Sequence, residues 1–187
     1  MGLVQVATNT VSSPVSSVTL TGIDSDDVYM VTGVGVGVET NIREVNMRIT
    51  KSGTAQSDSE YDYAYKGLIS NAGFTNVSST NQTFIRWDSD LGTGTSEFSN
   101  FIIYLHNFNS SSEYSFGTVE EVSVNHSPNS IGKAGGFIHT VASASDGVNF
   151  QGESSSNLLS GTFTLYRCVW NEWIWIYTRS TRTKFWK

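Results

Sequence analysis

Two acidic clusters hold the residue types that a hard cation needs. Asp24, Asp26 and Asp27 fall close together, and Asp88 and Asp90 flank a single serine. Calcium takes several carboxylate and carbonyl oxygens from one loop. Neither cluster has the full spacing of a calcium loop, and aspartate is also common in turns because its side chain bonds nearby backbone. The sequence leaves calcium open at both. His106, His126 and His139 stand at no metal-ligand spacing, which favours structural polar roles. Ser143, Ser145, Asp146 and His139 lie close along the chain and include the types of a nucleophile, an orienting acid and a base. No nucleophile-elbow glycine pattern surrounds them. A glycosidase needs only two of the seventeen carboxylates, but fold class by itself supports no reaction. The chain is therefore read as non-enzymatic, with no cofactor.

Glycine motifs lead to the same expectation. Gly33, Gly35 and Gly37 alternate with Val34, Val36 and Val38. A dinucleotide fingerprint needs its third glycine three residues after the second and a helix following, so this reads as a strand that lets a neighbouring backbone or ring come close. Ile131 to Gly136 contains a Gly-Lys pair without the upstream glycine of a phosphate loop and reads as a flexible turn. Tyr61, Tyr63 and Tyr65 alternate with Asp62, Ala64 and Lys66, so one face of that segment is aromatic. An exposed aromatic face with nearby Asp and Asn can hold a sugar. A buried one is core.

The elements that would position these residues are short strands. Ser, Thr, Asn and Gly abound while Leu and Ala are few, which disfavours long helices. Val45, Met47 and Ile49 share one face opposite Asn46, Arg48 and Thr50, a period of two. Further strands are expected at Ser17–Thr21, Val28–Val38, Thr83–Asp88, Phe101–Phe108, Glu113–Val124, Gly136–Ala142, Val148–Gln151 and Gly161–Val169. About ten strands separated by Gly, Asn, Asp and Ser clusters predict an all-β antiparallel β-sandwich, jelly-roll-like and single-domain. Residues 1–14 read as an N-terminal arm or edge segment ending at Pro14, 15–169 as the sandwich, and 170–187 as an aromatic, basic extension.

That extension departs from the rest in charge and pattern. Charged residues make up 15% of the chain, against roughly 25% in an ordinary domain. The net charge is -6, yet Arg167 to Lys187 holds five basic residues and one acidic, which leaves an acidic body. An acidic body argues against phosphate-backbone binding, and no nucleic-acid partner is expected. Trp170, Trp173, Trp175, Tyr177 and Trp186, with Arg179 and Arg182, read as an assembly interface, because aromatic anchors in desolvated pockets dominate interface energies. Cys168 is alone, so there is no intrachain disulfide, and it reads as a small buried hydrophobe. The start of the chain lacks a basic region and a long apolar run, so no secretory signal is expected. No run approaches a membrane span.

The stretches Thr21-Gly22-Ile23-Asp24-Ser25-Asp26-Asp27-Val28-Tyr29-Met30-Val31, Thr50-Lys51-Ser52-Gly53, Tyr61-Asp62-Tyr63, Tyr104-Leu105-His106-Asn107-Phe108 and Gly161-Thr162-Phe163-Thr164-Leu165-Tyr166-Arg167 resemble a group of virion structural proteins of marine tailed bacteriophages, including phages of cyanobacteria. The likeness covers about residues 3–167, and the chain continues some twenty residues beyond it. The resemblance implies a structural protein on the virion surface. A compact body without the heptads of a fibre shaft favours capsid decoration (cement), with a tail-fibre or appendage head that binds a receptor or glycan as the alternative. The partners implied are other virion proteins, the major capsid protein or appendage subunits, and copies of itself, with a trimer as one expectation.

Overall fold

The computed structural model describes residues 2–87 and 90–169. The described residues are nearly all β, with thirteen strands and one 3₁₀ turn, Glu153–Ser155. The strands are β1 Gly2–Val11, β2 Ser17–Thr21, β3 Tyr29–Val38, β4 Val45–Lys51, β5 Thr54–Ala55, β6 Tyr61–Ile69, β7 Gly73–Gln82, β8 Ile85–Arg86, β9 Ser99–His106, β10 Ser115–Val124, β11 Ser130–His139, β12 Gly147–Gly152 and β13 Leu158–Val169. One sheet runs β1-β13-β3-β9-β10-β11-β6-β7; the other runs β2-β12-β4-β5, with β8 on β4.

These orders define a jelly roll. An antiparallel ribbon of eight strands pairs first with last, second with seventh, third with sixth and fourth with fifth, and rolling it up gives two packed sheets. Taking β1, β2, β3, β4, β5, β9, β12 and β13 as the eight, all four ribbon pairs are present: β1 with β13, β2 with β12, β3 with β9, and β4 with β5. Rolling adds the pairs β13 with β3 and β12 with β4. The strands β10, β11, β6 and β7 extend the first sheet beyond this frame.

Alternation decides what each strand buries. Val45, Met47 and Ile49 on β4 and Val148 and Phe150 on β12 face inward, against Val31, Phe101, Ile103, Phe163 and Leu165 of the larger sheet. At the centre four aromatic rings meet. Phe150 lies 5.5 Å from Phe101 and 5.1 Å from Phe163, and Trp87 stands edge-on to Phe101 at 5.2 Å. Gly33 makes room for this cluster, since a Cβ there would run into the Phe101 ring.

Residues 2–11 form the edge strand β1, paired along its length with β13, which is the edge segment rather than the arm of the sequence expectation. Other segments differ from that expectation. Ile131 to Gly136 is not a flexible turn: it lies in β11, hydrogen-bonded between β10 and β6. Two of its glycines serve close approach: a Cβ on Gly135 would strike the backbone of Ala64 and Tyr65, and one on Gly136 would strike the carbonyl of Gly117. Strand β7 had no expected counterpart. In β3 the alternation breaks at Gly35, whose φ of +63° accompanies a register shift between Gly33 and Val36. Val34 therefore points outward at 59% exposure while Val36 is buried.

Candidate functional site

The loop carrying Asp24, Asp26 and Asp27 is tied to the end of β13. Arg167 Nε donates to Asp27 Oδ2 at 2.6 Å, and the Tyr29 hydroxyl donates to Asp24 Oδ1 at 3.0 Å. The Ser25 hydroxyl and the Arg167 guanidinium hold the Asp27 carboxyl below its ordinary range. Among the described residues no three His, Cys, Asp or Glu side chains converge as a metal site. Asp90 lies within the described residues, where its carbonyl accepts from the His126 N–H at 3.1 Å; Asp88 lies outside them. Cys168 is buried and free, and burial raises its thiol pKa.

The residues of a nucleophile, base and acid are not linked. His139 Nε2 lies 2.9 Å from Glu60, while Asp146 accepts from the Thr50 hydroxyl at 2.7 Å and the Gly53 N–H at 2.8 Å. Both act as braces between strands and loops. Burial pushes the His139 imidazole below its usual pKa, against the pull of Glu60.

Tyr61, Tyr63 and Tyr65 do not make an exposed sugar-binding face. All three belong to the core and are at most 7% exposed. Alternation placed the rings on one side of β6, and packing turned that side inward. The Tyr61 hydroxyl donates to the Gln56 carbonyl at 2.9 Å, and burial raises the pKa of both Tyr61 and Tyr65. The assembly residues Trp170, Trp173, Trp175, Tyr177, Arg179, Arg182 and Trp186 lie outside the described residues.

Two other surfaces emerge. The first is the outer face of the larger sheet. Register aligns Asn100, Val122, Gly132, Leu68 and Phe74 in one row across five strands. The next row holds Thr32, Ile102, Glu120, Ala134, Lys66 and Asn76. A third runs Met30, Tyr104, Thr118, Gly136, Ala64 and Ser78, and a fourth joins His106, Phe116, Ile138 and Asp62. Val34, Val122, Leu68, Phe74, Ile102, Tyr104 and Phe116 are all exposed here. Glu120, Lys66 and Asp62 are the charged members of these rows. A groove of about 760 Å³ crosses this face, floored by Ala64, Gly136 and Thr118 and walled by Phe116, Ile138 and Asp62.

The second surface is polar and lies on the outer side of the smaller sheet. Asn46 pairs with Gln151 of β12 and Arg86 of β8, and Arg48 pairs with Asn149. These residues point away from the core because Val45, Met47 and Ile49 point into it. A pocket of about 480 Å³ is lined by Asn46, Arg48, Phe84, Gln151, Glu153 and the serines after it. Arg48 Nε donates to the Thr83 carbonyl at 2.8 Å, and its guanidinium carbon lies 5.9 Å from the centre of the Phe84 ring. Asn46 is 2% exposed, and its Oδ1 has no hydrogen-bond partner. Behind the pocket rim Arg86 Nε sits 2.8 Å from Glu44, with Glu153 at 3.8 Å. Burial drives the Glu44 carboxyl up to about 7, opposed by Arg86 and Lys133.

Compared with known proteins, the chain matches no protein-family model, and the search of curated proteins gave no significant match. Fold and surfaces together define a jelly-roll domain with one apolar and one polar outer face.

Proposed function

We propose that this protein is a non-enzymatic structural component of a tailed-phage virion, a capsid-surface decoration protein that assembles with copies of itself and with neighbouring virion subunits. The observation that carries the assembly part is the outer face of the larger sheet, where exposed aliphatic and aromatic side chains occupy successive register rows with few charges. Depletion of charge and enrichment in aromatics mark the cores of protein interfaces, and a contiguous apolar patch of this kind marks an interaction site. The phage assignment is supported by the sequence resemblance over residues 3–167. In the same reading Trp173 and Trp175 of the extension anchor the protein to its neighbours.

The native protein is expected to be an oligomer in solution by light scattering. Replacing Ile102 and Val122 together by Lys should reduce it to monomers, while each subunit keeps its melting temperature because both positions are exposed and the cation at 102 stands opposite Glu120. Trp173→Ala with Trp175→Ala tests the extension in the same assay. A monomeric native protein would refute self-assembly, and an intact oligomer in the Ile102/Val122 variant would remove the sheet face from it. The second reading, a receptor-binding head of a tail appendage, draws its support from the polar pocket of the smaller sheet.

A further inference from the structure

We propose that the polar pocket on the smaller sheet is a saccharide-binding site. The proposal stands on this pocket alone and goes beyond the assembly role, holding for a capsid or an appendage position alike. Its first support is the lining. Charged, amide and hydroxyl side chains from β4, β12 and the turn after it converge on one concavity beside the Phe84 ring.

These side chains fix the chemistry of the ligand. Glu153 supplies an acceptor, Arg48 and Gln151 supply donors, and serine hydroxyls serve as either. The guanidinium of Arg48 is held in place by its bond to Thr83 and its position over Phe84. A mixed set of donors and acceptors beside an apolar ring suits a polyhydroxylated ring, whose hydroxyls both donate and accept and whose C–H face packs on an aromatic. A phosphate or other anion is disfavoured by the Glu153 carboxylate, and an apolar peptide by the density of amides and hydroxyls. The volume, about 480 Å³, falls within the range of about 300–1,000 Å³ typical of small-molecule sites.

Location adds a further argument. The pocket lies on the outer side of the smaller sheet, and the apolar face lies on the outer side of the larger one, so the sandwich separates them. An oligomer that covers the apolar face leaves the pocket open to solvent.

The test is a titration of the full chain against methyl glycosides of the common hexoses and N-acetylhexosamines, followed by saturation-transfer NMR. At least one glycoside is expected to bind the parent protein. Arg48→Met and Gln151→Ala should each weaken that binding at least tenfold. The melting temperature of Gln151→Ala should stay level, because Gln151 lies on the outer face and is only partly buried. Phe116→Ala, in the groove of the opposite face, should bind as the parent does. Should Arg48→Met fail to fold, Gln151→Ala carries the same expectation. Binding of no glycoside overturns the proposal. So does binding that survives the pocket variants, or that is lost in Phe116→Ala instead.

Discussion

A Phe150→Ala variant is expected to lose about 3–5 kcal/mol of stability, the range for removing a large buried aromatic. Phe150 is fully buried on β12 of the smaller sheet, and its ring contacts Phe101 and Phe163 of the larger sheet and Trp87 of the connection between β8 and β9. The truncation therefore opens a cavity between the two sheets at the point where both contribute aromatic rings. Neighbouring rings cannot fill it easily. Phe101 is seated over Gly33, and Trp87 already meets Phe101 edge-on. A domain of this kind typically has about 5–15 kcal/mol in total, so the variant should unfold at a much lower denaturant concentration, as chemical denaturation followed by tryptophan fluorescence would show. A loss under about 1 kcal/mol would mean that the sheets close over the gap and the cluster is not rigid.

Raising the pH through the weakly acidic range is expected to destabilise the protein, and Glu44 is the cause. In the unfolded chain its carboxyl titrates near 4.5, whereas burial in the fold raises it to about 7. Between those values the folded state holds a proton that the unfolded state has released, so stability falls as pH rises across that window and levels off above it. Arg86 at 2.8 Å and the Lys133 charge oppose the shift without cancelling it. The effect amounts to about 3 kcal/mol when a shift of this size is converted at about 1.4 kcal/mol per pKa unit. His139 acts in the opposite sense: its pKa is depressed by burial, so its contribution is present above the ordinary histidine value of 6.5 and is lost as pH falls. Comparing the parent with Glu44→Gln at each pH separates the two. The difference in unfolding free energy between parent and variant should change steadily from about pH 4.5 to about pH 7. A difference that stays flat across the window would show Glu44 to be ionised throughout by its contact with Arg86.

Much of the jelly roll was legible in the sequence. Strict alternation in Val45, Met47 and Ile49, in Tyr61, Tyr63 and Tyr65, and in Phe163 and Leu165 marked three strands that the structure places in the sandwich. The glycines of β3 announced a close approach, which the Phe101 ring makes at Gly33. Strand β7, with the sequence Gly-Phe-Thr-Asn-Val-Ser-Ser-Thr-Asn-Gln, has too few apolar residues to show a period, since it packs at the edge with most side chains in solvent. The glycines in β11 imitate a turn. Only a strand lying between two partners shows why side chains are excluded there.

Function was less legible for the same reason. Sequence by itself determined that Tyr61, Tyr63 and Tyr65 share a face and that Asn46 and Arg48 lie opposite Met47. Alternation is a property of one strand, and it assigns two sides without naming the buried one. The tertiary structure decided that the tyrosines turn inward. It also brought Asn46 and Arg48 beside Gln151 and Glu153, about a hundred residues away along the chain. Ribbon pairing and rolling set such neighbours, and the register between distant strands is fixed by burial of the whole core. A surface built from several strands exists only once that core has closed.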